Sequence, residues 1–174
     1  MKLVRWRRFT WDLSKLPQQN LPVPSHYTLR IGTREDARAA YNVISSAFSL
    51  DTAWSDTFQS FRDPLNQHLE AAFAKEGVPA LVITHGQRII AASALSTDMD
   101  ADSNLISGPC VLVEYRNRGL GTALLYASLV QLKNSGLSHV RGICKDTAPT
   151  SKFVYPKFGS TSEIYSFEPT VVGS

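Results

Sequence analysis

The chain has 174 residues with a formal net charge of +3, and 43% of its residues are hydrophobic against 19% charged. That size and balance fit one globular domain with a sizeable core and leave little room for a second. The two cysteines, Cys110 and Cys144, exclude a disulfide framework or a zinc site and read as reduced core residues, so no metal is expected.

The mild excess of positive charge suits an anionic ligand and does not by itself call for nucleic acid. The start of the chain is basic, but Thr10, Asp12, Ser14 and Lys15 interrupt any apolar run. Neither a secretory nor a membrane-spanning segment is expected, and the expected location is cytoplasmic.

Residues 1–26 read as a basic, aromatic arm. Lys2, Arg5, Arg7 and Arg8 surround Trp6, Phe9 and Trp11, and Pro17, Pro22 and Pro24 stiffen the connection that follows. Such an arm either contacts RNA or a partner chain, a homodimer included, or wraps its own domain with the tryptophans as anchors. Four charges are a weak electrostatic footprint, which favours the wrapping arm. The domain proper is expected over 27–174.

Tyr27–Ile31 alternates and predicts a first strand. Thr33 and Asp36 form a capping-box-like start for a helix whose apolar face carries Ala37, Ala40, Tyr41, Ile44, Ala47 and Phe48. A second helical zone runs from Asp63 and Pro64 through Leu65, Leu69, Ala72 and Phe73 to a stop at Gly77. Ala80–Thr84 and Arg88–Ser96 predict a hairpin around His85-Gly86-Gln87, and another strand is expected at about Leu105–Val113. Gly119–Asn134 is the longest predicted helix, with a broad apolar face that includes Leu120, Leu124, Ala127 and Leu132. Val140–Cys144 reads as a strand of a βαβ unit, Pro149 opens a short helix ending near Tyr155, and Ile164–Phe167 is a last strand. The fold class is a mixed α/β (α+β) sheet with helices on its faces.

The chemistry concentrates in Val111-Leu112-Val113-Glu114-Tyr115-Arg116-Asn117-Arg118-Gly119-Leu120-Gly121, where a strand ends and a helix starts at glycines. Backbone N–H groups at such a start have no partners and carry partial positive charge, which suits a pyrophosphate. The chain lacks the Gly-Lys-Ser/Thr of a Walker A loop, and Leu124 stands where a dinucleotide fingerprint needs its third glycine. What remains is Arg-x-x-Gly-x-Gly between strand and helix.

Arg116-Asn117-Arg118-Gly119-Leu120-Gly121 resembles the Q/R-x-x-G-x-G/A turn of the GCN5-related N-acetyltransferases, the GNAT family. Glu114-Tyr115 is similar to that family's common "PEYR" lead-in, with Val113 for the proline. Phe153-Val154-Tyr155-Pro156-Lys157-Phe158-Gly159 resembles its "LYEKLGF" segment. The element order agrees from about Tyr27 to Phe167.

The resemblance implies two splayed parallel strands, about Leu105–Val113 and Val140–Cys144, with acyl-CoA in the cleft between them. Val111, Leu112 and Val113 would run beside the pantetheine arm, paired through Val111 and Val113. Arg116, Asn117, Arg118, Gly119, Leu120, Gly121 and Thr122 would hold the pyrophosphate. The Val111 amide would polarise the thioester carbonyl and Tyr155 would protonate the leaving thiolate. The implied function is acetyl transfer from acetyl-CoA, as co-substrate, to a primary amine of a small molecule or protein that enters beneath residues 48–65. The competing reading is a degenerate acyl-CoA-binding sensor without turnover. Where the family often carries an asparagine, Ala148 stands, with Asp146, Thr150 and Ser151 nearby; Pro156 is a second departure.

No general base stands out. Glu114 lies where the family commonly has a surface glutamate, His85 sits in a hairpin turn, His139 opens a strand, and Cys144 reads as an inert buried thiol. Asp98, Asp100 and Asp102 mimic a calcium loop, but Ser103 and Pro109 replace its glycine and glutamate. Trp54, Phe58 and Phe61 with Asp51, Asp56 and Asp63 suit either an acceptor pocket or plain core.

Overall fold

A computed structural model describes residues 5–18, 21, 23–49, 80–101, 103–146, 148 and 150–165. The described elements are β1 (Trp6–Asp12), β2 (Tyr27–Ile31), α1 (Ala37–Ser49), β3 (Ala80–His85), β4 (Arg88–Ala94), β5 (Cys110–Val111), α2 (Leu120–Asn134), β6 (His139–Lys145) and β7 (Thr161–Tyr165). The predicted second helical zone at 63–77 and the aromatic–aspartate group at 51–63 lie outside the described residues. No described helix is long and apolar enough to cross a membrane.

The strands form two antiparallel sheets, β2-β3-β4-β5 and β6-β1-β7. In the first, β3 and β4 meet at the expected turn, with His85 opposite Arg88 and Gly86 at φ +63°, a left-handed conformation that costs glycine little. Both faces of β3 are buried. Ala80 and Val82 pack with Ala40, Val43 and Ile44 of α1, whereas Leu81 and Ile83 join Leu124, Leu125, Leu129 and Leu132 of α2. Alternate side chains of a strand point to opposite faces, so the helices sandwich this sheet. Helix α1 is led in by a 3₁₀ turn, Arg34–Asp36, with the expected capping box. The Thr33 N–H donates to Asp36 Oδ2 at 2.6 Å, and Arg30 binds both Asp36 oxygens at 2.7 and 3.0 Å. These bonds hold the Asp36 carboxyl down at about 2.

The second sheet departs from expectation. Residues 6–12 are not an arm outside a domain that begins at Tyr27; they are the central strand of three. β1 lies between β6 and β7, with Phe9 opposite both Gly142 and Ser162. Phe9, Trp11 and Leu13 repeat at every second position and enter the core beside Val140 and Tyr155, and α2 covers that face. The period-2 signal is present in the sequence, masked by the arginines that precede it. Arg7 and Arg8 are satisfied at the surface by Asp146 and Glu163.

Three further elements differ from expectation. The strand expected over 105–113 shrinks to Cys110–Val111 plus an isolated bridge between Leu105 and Leu95, because Gly108 takes φ +63° and Pro109 has no N–H for a ladder. The short helix before Tyr155 is a π-helical turn, Thr150–Val154. β6 does not share a sheet with β5, since β1 pairs along it instead.

If β1 is integral, Trp11→Ala should destabilise the protein by about 3–5 kcal/mol, the usual cost of emptying a large aromatic site. Denaturant midpoints read this directly. Parent-like stability in the variant would mean that β1 is dispensable.

Candidate active site

Antiparallel pairing aims β5 at an open edge. The Leu112 N–H donates to Ile90 O at 2.9 Å, which makes Leu112 and Cys110 the residues facing β4. Val111, between them, turns its N–H and C=O outward. The strand then stops in a 3₁₀ turn, Val113–Tyr115, where the Arg116 N–H donates to Val113 O. Asn117 at φ +63° and Gly119 at φ +77° swing the chain into α2. Gly119 is the N-cap, its carbonyl accepting from Ala123 N at 3.1 Å, and no side chain caps the helix. The N–H groups of the first turn, at Leu120, Gly121 and Thr122, therefore have neither a helical nor a side-chain partner and mark the positive end of the helix. The space above them is open: a Cβ at Gly119 would meet nothing within 4 Å, and one at Gly121 only Val111 Cγ2 at 4.0 Å.

A cavity of about 810 Å³ lies over this turn. The segments that bound it touch where Asn104 N and Leu105 N donate to Arg141 O at 2.7 and 3.1 Å. Beyond that contact they join different sheets, and the cavity opens between 106–111 and 143–145. Residues from the π-turn to Lys157 close the remaining wall, and Lys157 Nζ reaches Thr122 Oγ1 at 3.4 Å. Arg116 stands beside the turn with its Nε donating to Val111 O at 3.3 Å.

Tyr155 lies on this wall because the π-turn inserts an extra residue, its N–H reaching back five residues to Thr150 O at 2.8 Å. Its ring is fully buried, edge-on to Phe9 at 5.4 Å and to Trp11 at 5.2 Å. Trp11 Nε1 donates to Lys157 O at 2.9 Å and so fixes the chain just beyond it. Two glycines make room: a Cβ at Gly142 would come within 3.3 Å of the ring, and one at Gly108 would run into the hydroxyl. No described residue forms a hydrogen bond with that hydroxyl. Burial pushes its pKa well above the phenol value, so it stays protonated. Burial likewise lifts Cys110 to about 12 and Cys144 to about 11, and Cys144 Sγ lies 2.7 Å from Ser151 Oγ. Both are thiols rather than thiolates.

Residues 43–159 match the family model described as the acetyltransferase (GNAT) family. The chain belongs to this family. Among solved structures it is similar to a Drosophila protein (16% identity, TM-score 0.66, covering 93% of this chain and 49% of that one). It is also similar to a GCN5-related N-acetyltransferase from Sphaerobacter thermophilus (17%, 0.62, 94% and 50%). A GCN5-related N-acetyltransferase from Kribbella flavida shares the fold more distantly (15%, 0.56, 93% and 56%). The chain thus spans about half the length of these neighbours, and at such identities the likeness is one of fold. No curated protein matches it.

Of the residues expected to meet the cofactor of a GNAT protein, Val111, Arg116, Asn117, Gly119, Leu120, Gly121 and Thr122 line the cavity. Leu112, Val113 and Arg118 do not. Leu112 faces β4, and Val113 sits in the 3₁₀ turn with its carbonyl engaged, so no extended strand continues past Leu112. Arg118 points away, donating to Tyr27 Oη at 3.3 Å and Glu114 O at 3.2 Å with its guanidinium over the Tyr115 ring. Ala148, where the family often has asparagine, lines the cavity. His85 is bonded to Tyr115 Oη at 2.9 Å and His139 to Ser138 Oγ at 3.1 Å, both exposed and outside the cavity. No described group of three or more His, Cys, Asp or Glu residues could hold a metal. Asp98 instead closes an Asx turn, accepting from Asp100 N at 2.9 Å.

Sequence reasoning missed Gly108 and Lys157. The Gly108-Pro109 dipeptide, a break inside a predicted strand, was the available signal for the first.

Gly108→Ala should cost about 1–3 kcal/mol, through its positive φ and through the Tyr155 hydroxyl. In a Tyr155→Phe background part of that cost should vanish, leaving a coupling of at least about 0.5 kcal/mol in a double-mutant cycle. Additive effects would place the hydroxyl elsewhere.

Proposed function

We propose that this GNAT chain transfers an acetyl group from acetyl-CoA to a primary amine. The observation that carries the reading is the single cavity that joins the bare helix start at Gly119–Thr122 to Tyr155, with the outward edge of Val111 between them. Free N–H groups, open space over both glycines, and the side chains of Arg116 and Lys157 suit a pyrophosphate. The outward Val111 N–H suits the polarised thioester carbonyl, which gathers negative charge as the amine attacks. Tyr155 holds its proton until a thiolate forms. Burial lifts both cysteines beside it, so a thiolate released in the same dry space is also a strong base and takes the phenol proton. The two free cysteines fit a reducing compartment, and we take the protein to act in the cytoplasm.

One observation favours a second reading, an acyl-CoA sensor without turnover. Among the described residues lining the cavity there is no histidine or carboxylate to take the amine's proton. In the enzyme reading water carries that proton outward.

A thiol-release assay with acetyl-CoA across a panel of primary amines separates the two. The expected result is turnover with at least one amine, slowed at least about tenfold by Tyr155→Phe with acetyl-CoA affinity kept. Tight acetyl-CoA binding with no turnover on any amine would select the sensor, and equal turnover by the variant would remove Tyr155 from the chemistry.

A further inference from the structure

Resting on the acetyl-CoA reading above, we infer that Phe153 is the seat on which the cofactor's adenine ring stacks. Five large apolar side chains are exposed among the described residues: Ile31 at 52%, Met99 at 71%, Val113 at 54%, Phe153 at 68% and Ile164 at 63%. Phe153 alone among them lines the cavity. The π-turn explains how it comes to stand there. Ser151 and Tyr155 are turned inward and buried, while Phe153, between them, is turned outward at the cavity mouth. Among the described residues no aromatic ring or guanidinium packs on its face, so the ring meets solvent at a cost that a stacked ligand would remove.

Its position selects the nucleotide end of the ligand. The reacting end is the buried corner where the Tyr155 hydroxyl lies against Gly108. Phe153 is on the wall that carries Lys157, whose ammonium group reaches the first turn of α2 at Thr122. A ligand with its pyrophosphate on that turn extends its thioester inward and its nucleoside outward, past the exposed ring. Every purine has a π-face, and stacking on an aromatic side chain needs no hydrogen-bond partner on the base.

The test compares CoA with pantetheine 4′-diphosphate, which keeps the pyrophosphate and the thiol arm and lacks the nucleoside. Calorimetric titration of the parent should show CoA bound about tenfold or more tightly than the shorter compound. Phe153→Ala, at an exposed site, should fold normally and lose about tenfold in CoA affinity with no change toward pantetheine 4′-diphosphate. Phe153→Trp should retain parent-like CoA affinity. Equal losses for both compounds, no loss for either, or a parent that does not distinguish them would each overturn the inference while leaving the acetyl-CoA reading in place. A parent that binds neither compound would overturn both.

Discussion

The second wall of the cavity depends on a strand from the start of the chain. β6 and β7 do not pair with each other; each is hydrogen-bonded to β1, which runs antiparallel to both. β1 also supplies the aromatic floor, with Phe9 and Trp11 meeting the Tyr155 ring edge-on and the Trp11 indole holding the Lys157 carbonyl. Take β1 away, and β6 loses its ladder, Tyr155 its packing and Lys157 its anchor. Sequence-local motifs name the first wall of this cavity, whereas the second is assembled from residues as far as 146 positions apart.

Burial sets the chemistry of the site more than charge does. Lys145, Lys157 and Arg116 lie at its cavity, yet the groups nearest the proposed reaction are neutral: a phenol and two thiols, all with their ionised forms disfavoured by desolvation. Such an environment weakens Tyr155 as an acid toward water. Toward a thiolate confined in the same place the penalty largely cancels, because both partners are desolvated alike. On the proposed function, the lysines and arginine would meet the phosphates and the neutral hydrogen-bonding groups the uncharged thioester.

The legible parts of this fold were those whose signals are local. Glycines at 119 and 121, the apolar face of α2, the turn at Gly86 and the Thr33–Asp36 cap all act within a few residues, and each element formed where its pattern put it. The illegible parts were decided by distant partners. Phe9, Trp11 and Leu13 carry strand periodicity, but neighbouring arginines and the prolines after them read as an arm wrapped on the outside of the domain until β6 and β7 are seen on either side. Arg118 shares the glycine turn in sequence, yet the Tyr27 hydroxyl, 91 positions away, and the Tyr115 ring draw it off the cavity. Gly108 looks like a strand breaker and becomes, once Tyr155 arrives, the surface on which its hydroxyl rests.

On the proposed function, the bare first turn of α2 holds the pyrophosphate of acetyl-CoA. Gly121→Glu tests it most directly, because the position is open, lies in a helix at ordinary φ and does not support the core. The carboxylate would stand over the free N–H groups and repel a phosphate by both bulk and charge. Calorimetric titration of the folded variant with acetyl-CoA should show affinity reduced at least about a hundredfold, the loss expected when charge-assisted hydrogen bonds to an anion are blocked. Unchanged affinity in a variant with parent-like stability would place the pyrophosphate elsewhere on the protein.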